Sequence, residues 1–163
     1  ALSLENISNA PAVFGSCNMW NEEKWGSRPP FSILGDFSKS NTNEIALGLM
    51  LDYSFALANQ ISALLDDGFE VDQVILTGGG ASSQLQLILG SLLDIPVGKI
   101  TSDDAISNLF SMLDDDQRDL LGFGNSTLTL DSETSAFLKS KAKIHALMYA
   151  QLEGTREVLE NAS

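Results

Sequence analysis

The sequence predicts an α/β fold, a short parallel sheet with long helices packed on it. Three observations carry that prediction. Val74-Ile75-Leu76 and Pro96-Val97-Gly98-Lys99-Ile100 are short apolar runs containing β-branched residues. A helical pattern separates them, and strand, helix, strand in that order builds a parallel pair. Long helical patterns flank this unit on both sides, and the first is apolar on most of its faces, the mark of a buried helix.

Residues 1–40 read as an irregular strand and loop segment. They hold three of the four prolines and both tryptophans, Trp20 and Trp25. Pro11 to Gly15 reads as a short strand. Pro29-Pro30 excludes helix there, because proline also pushes its predecessor out of the α region. The α/β portion occupies 41–163. Its first helix opens at Asn41, with Glu44 completing a capping box. Leu47, Met50, Leu51, Ser54, Leu57, Ala58, Ile61, Leu64 and Leu65 recur close to helical spacing. Asp66-Asp67-Gly68 ends the helix, since Gly68 can turn left-handed after the last turn.

Val74-Ile75-Leu76 is continuous and short, which predicts a strand buried on both faces. Gly78-Gly79-Gly80 follows. The next helix runs from about Ser82 to Leu93, with Leu85, Ile88, Leu89 and Leu92 on one side. After the strand at 96–100, Ser102-Asp103-Asp104 starts a further helix carrying Ile106, Leu109, Phe110 and Leu113. The last helix spans about 132–160, capped by Asp131. Phe137 or Leu138, with Ala142, His145, Tyr149 and Leu152, gives it one packing face.

Composition excludes several classes. The 163 residues suit one domain, and a 44% hydrophobic content excludes bulk disorder. Cys17 is the only cysteine, so no intrachain disulfide forms, and with His145 the only histidine a zinc cluster is excluded. Nine basic against 22 acidic residues give a net charge of -13. Such a surface repels phosphate backbones and anionic lipids, so no nucleic-acid or membrane partner is expected. No apolar run approaches the ~20 residues that span a bilayer. No basic leader followed by an apolar stretch marks a secretory signal, so a cytoplasmic location is expected.

The strand–Gly78-Gly79-Gly80–helix junction is the most informative feature. Glycines let the backbone come close to a ligand, and a helix N-terminus offers unpaired N–H groups and a positive dipole end. The same glycines also suit a tight strand-to-helix turn. The spacing matches neither a dinucleotide fingerprint nor a P-loop. Asp52 reads as a carboxylate at the wet edge of the first helix, the other reading being a polar residue facing a site. His145 reads as a partly buried helix histidine without a serine or acid partner at recognisable spacing. Asp114 to Asp116 reads as a solvated acidic turn, Cys17 as a core thiol, and Trp20 and Trp25 as packing under a loop.

Together these residues resemble a family. Val74-Ile75-Leu76-Thr77-Gly78-Gly79-Gly80-Ala81-Ser82-Ser83, an apolar helix and then Pro96-Val97 look like the adenosine motif of the FGGY carbohydrate kinases. Gly26-Ser27-Arg28-Pro29-Pro30 is similar to the family's Gly-x-Arg-x-Pro, and Gly35-Asp36-Phe37 to its Gly-x-Phe. Leu49 to Ala56 resembles its Ala-x-x-Glu-Gly helix. The four patches follow the family's order across about residues 14–110. The end of the chain, around Tyr149 to Glu153, is faintly similar to xylulose kinases. Departures are Tyr53 for the family's glycine, Gly90-Ser91 or Ser91-Leu92 for its Ala-Asp, and Ile106-Ser107-Asn108 for its Gly-Ala-Ala.

The resemblance implies part of an actin-like ATPase, or ribonuclease-H-like, domain. It implies the C-terminal adenosine-binding portion of an ATP-dependent sugar kinase, acting on a pentulose. Gly78, Gly79 and Gly80 would lie against adenosine, and Ser83 or Gln84 would hydrogen-bond the adenine edge. Gly26 and Arg28 would be structural. ATP and magnesium are the implied cofactors, the magnesium held mainly outside this chain. The sugar would reach the site through an N-terminal domain or second chain that this chain is expected to lack. It therefore carries no catalytic residue and is not expected to be active alone; a homo-oligomer is expected from the face so exposed. The alternative is a non-catalytic relative or an acidic interaction module.

Overall fold

The computed structural model describes residues 3–16, 31–35, 38, 40–78, 81–99 and 128–161. Ser3 caps α1 (Leu4–Asn9), its hydroxyl accepting from the Asn6 N–H. β1 (Ala12–Phe14) and β2 (Ser32–Leu34) pair antiparallel, with Val13 opposite Ile33. The short strand expected at Pro11 to Gly15 is thus present as β1, while the helix α1 was not expected.

α2 (Thr42–Asp66) has the capping box at Asn41 and Glu44. Gly68 takes φ +86 immediately beyond it, as a left-handed stop requires. β3 (Val74–Leu76), α3 (Ser83–Leu92) and β4 (Val97–Lys99) form the parallel unit, Val74 pairing with Val97 and Leu76 with Lys99. Ser82 caps α3 through the Leu85 N–H. β3 departs from expectation in its burial. Leu76 is buried, while Val74 and Ile75 are half-buried, because among the described residues this sheet has only two strands. The helix expected from Ser102 and the acidic turn at 114–116 lie outside the described residues.

α4 (Ser132–Asn161) closes the fold. Asp131 caps it with both carboxylate oxygens, on the Thr134 N–H and hydroxyl. Leu138, His145 and Tyr149 are its buried side, as the spacing implies; Phe137 is exposed.

Two apolar clusters share α2 and α3. Ala58, Ile61, Leu85 and Leu89 pack with Leu76 and Val97 of the sheet. Leu51, Phe55 and Ile88 pack with Ile7 of α1 and Leu138 of α4. Gly48 lets α2 approach β1: a Cβ there would lie 2.7 Å from the Pro11 carbonyl oxygen. Buried Ser91 ties the entry to α4 onto α3, donating to the Leu87 carbonyl and accepting from the Leu130 N–H. No helix among the described residues is long and apolar enough to cross a membrane.

Candidate functional site

Among the described residues two places bring polar groups together. The first lies at the carboxyl ends of β3 and β4, where open parallel sheets hold ligands. Gly78 leaves β3 with φ +78 and its carbonyl accepts from the Ala81 N–H at 3.1 Å, closing the turn, while an added Cβ would meet no atom within 4 Å. Its glycine identity answers to the positive φ, and the open space above it leaves the backbone approachable. Gly79 and Gly80 lie outside the described residues, as do Gly26 and Arg28. Ser83 and Gln84 stand exposed on the first turn of α3. Lys99, at the end of β4, places its Nζ 3.1 Å from Ser83 Oγ. Gln86 fixes the spacing of helix and strand by donating from Nε2 to the Val97 carbonyl at 2.9 Å. An ammonium thus stands beside a helix N-terminus whose first N–H groups have no intrahelical acceptor.

The second place is buried, and the spacing of the sequence did not reveal it. Asp52 is 1% exposed and His145 5% exposed. Asp52 on α2 is therefore not at a wet edge, and His145 on α4 does have an acid partner. His145 Nε2 lies 2.9 Å from Asp52 Oδ1 and 3.0 Å from the Val13 carbonyl oxygen. Both neighbours are acceptors, so Nε2 carries the proton. Tyr149 accepts from the Gly15 N–H at 2.7 Å and donates to Asp52 Oδ1 at 3.3 Å. Ser16 donates its N–H, at 2.8 Å, and its hydroxyl to Asp52 Oδ2. Gly15 takes φ +71, which turns the chain off β1 and brings Ser16 round to the carboxylate.

Burial pushes the Asp52 carboxyl up, but the hydrogen bonds from His145 and Ser16 outweigh it and hold the carboxyl below its ordinary range. A carboxylate so surrounded by donors is a weak base. The imidazole is sealed as well, with Phe14 stacked at 4.6 Å between centroids and Phe55 edge-on at 5.0 Å. His145 Nδ1 is buried without a hydrogen-bond partner. The cluster therefore pins the Val13–Ser16 turn between α2 and α4. The signal for it was present: Asp52 shares a helical face with Gly48 and Phe55, and Tyr149 lies four residues beyond His145.

Among the described residues no group of three His, Cys, Asp or Glu side chains could hold a metal ion. Cys17, Trp20 and Trp25 lie outside the described residues. No protein family, curated protein or solved structure matches this chain.

Proposed function

We propose that the chain is the adenosine-binding portion of an ATP-dependent sugar kinase, serving phosphoryl transfer from ATP to a pentulose hydroxyl within an actin-like ATPase fold. The observation that supports this reading is the convergence of Gly78, the α3 N-terminus and Lys99 at the carboxyl ends of the parallel strands. Each contributes a different part of nucleotide recognition. The open backbone at Gly78 gives a flat aromatic base or ribose a surface to lie on. Ser83 and Gln84 offer hydroxyl and amide groups to a base edge, and Gln84 can both donate and accept. The Lys99 ammonium and the helix dipole favour a phosphate on the same side. Magnesium would be held mainly outside this chain, where it would neutralise the phosphates. The sugar and the base that deprotonates its hydroxyl belong to another domain or chain, and ATP is drawn from the cytoplasm.

The test is calorimetric titration of ATP and ADP into the 163-residue protein and its Lys99→Ala and Gln84→Ala forms. ADP should bind the parent, and each substitution should weaken it by about tenfold, the loss of one good polar contact. Absence of binding by the parent at millimolar nucleotide would overturn the reading, as would unaltered affinity in both variants.

A further inference from the structure

α2 outruns the core it packs on. Its apolar stripe is buried at Ala58 and Ile61, against the sheet and α3. The stripe then continues onto Leu64, 46% exposed, and Leu65, 39% exposed. The left-handed stop at Gly68 adds a third large side chain. The Gly68 N–H donates to the Leu65 carbonyl at 3.0 Å, and the Phe69 N–H to the Leu64 carbonyl at 3.1 Å. A stop of this kind brings the residue after the glycine beside the last helical turn, where an apolar contact is ordinarily covered. Here Phe69 stays 62% exposed. Large apolar side chains grouped in this way mark contact sites.

The charge around the patch is of one sign. Asp66, Asp67, Glu70 and Asp72 are all exposed. Between Lys39 and Lys99 the chain has no lysine, arginine or histidine. Lys99 is engaged on Ser83 beyond the other end of the parallel strands, and Lys139 is engaged on Asp94. Among the described residues, no base pairs with Asp66, Glu70 or Asp72. Helix stability does not call for these acids either. Asp66 and Asp67 stand at the C-terminal end of α2, where the helix dipole disfavours a carboxylate and favours a base.

We infer that this patch docks a partner protein, through a segment that presents large apolar side chains flanked by lysine or arginine. Phe69 is the most exposed anchor, so the apolar contribution concentrates on it. The acids select the sign of the partner's charge and speed its encounter. A second copy docking through the same patch would oppose carboxylate to carboxylate. The patch precedes β3 and Gly78 follows it, so the inference does not depend on nucleotide binding.

The probe is a fluorescently labelled peptide of leucine and lysine at helical spacing, with a scrambled peptide of the same composition beside it. Each is titrated with the full chain and read by anisotropy. The amphipathic peptide should bind about tenfold more tightly than the scrambled one. Phe69→Ser, at an exposed position, should weaken binding by about tenfold. The combined variant Asp66→Asn, Glu70→Gln, Asp72→Asn should weaken it by about as much and flatten its dependence on salt. That variant's melting temperature should not fall, because an acid at the negative end of α2 is removed. Glu133→Gln, exposed on the first turn of α4, should leave binding unchanged, which separates the patch from the charge of the whole chain. The inference is overturned by absence of peptide binding, by equal affinity for the two peptides, or by parent-like binding in Phe69→Ser. An equal loss in Glu133→Gln and the combined variant would overturn it as well. So would self-association of the parent that Phe69→Ser abolishes, because a second copy would then occupy the patch.

Discussion

Asp52 and His145, 93 residues apart in sequence, meet at 2.9 Å between Oδ1 and Nε2 in the interior of the protein. The pair joins α2 to α4, and through Ser16 and Val13 it fixes the turn that follows β1. Removing one partner of a buried pair leaves the other desolvated and uncompensated, a loss of about 3–5 kcal/mol. Asp52→Asn keeps the shape but must turn an NH2 group toward either Ser16 or His145, both of which donate. Its unfolding free energy in urea should fall by roughly 2–4 kcal/mol. A change below about 0.5 kcal/mol would fit a solvated surface carboxylate instead.

The same carboxylate sets an acid limit. Its folded pKa lies below the ordinary 3.8, so the folded state binds the proton less readily than the unfolded state. The stabilisation is complete above the unfolded value and disappears as pH falls from about 3.8 through the lower folded value. Asp131, held down by the Thr134 N–H and hydroxyl, acts in the same direction at the surface. Chemical denaturation at pH 6, 4 and 3 should show falling stability, and Asp52→Asn should flatten that fall. An equally steep acid loss in the variant would assign it to other groups.

Gly48→Ala reverses a general rule. Glycine to alanine inside a helix ordinarily stabilises by about 0.5–1 kcal/mol. Here the new methyl would meet the Pro11 carbonyl oxygen at 2.7 Å and Val13 Cγ2 at 3.0 Å. Backbone cannot step aside as a side-chain end can, so thermal melts should show a net destabilisation of about 1–3 kcal/mol. A raised melting temperature would show that α2 and β1 separate easily.

Gly78 poses a different question, because an added Cβ there meets open space and only the φ of +78 resists it. Gly78→Ala should cost about 1–2 kcal/mol through the left-handed backbone alone. Gly78→Asn should cost less, because asparagine tolerates that region. If the proposed nucleotide site is correct, both should also weaken ADP in calorimetry. Equal melting temperatures for the two variants would remove the backbone explanation.

Much of the local structure was legible because it is governed by near neighbours. The Asn41–Glu44 box, the Gly68 stop, the start of α3 near Ser82, the Asp131 cap and the βαβ order are all decided within a few residues. The six-residue α1 was missed because so short a helix carries less than two turns of pattern, and its docking depends on Ile7 reaching Leu51 and Leu138. The spacing places His145 on the packing face of its helix, but it reads Asp52 as a carboxylate at the wet edge of α2, where the structure buries it. Their meeting depends on which faces α2 and α4 turn toward each other, a matter of tertiary packing that a single chain's periodicity does not encode. The half-burial of Val74 and Ile75 has the same origin, since a strand's burial depends on how many neighbours its sheet acquires.

The Lys141 contacts have a consequence for the order in which the protein is made. Its Nζ holds the carbonyls of Ile7 at 2.6 Å and Ala10 at 2.8 Å, across separations of 134 and 131 residues. Tyr149 holds Gly15 across 134 and His145 holds Val13 across 132. A ribosome adding ~5–20 residues per second needs on the order of ten seconds to cover that separation. Over that interval α1 and β1 have emerged while the helix that fastens them has not been synthesised. This segment is thus secured long after it is made, and Ile7, Val13 and Phe14, all destined for the interior, wait uncovered. That waiting stretch is where a holding chaperone would act during biosynthesis.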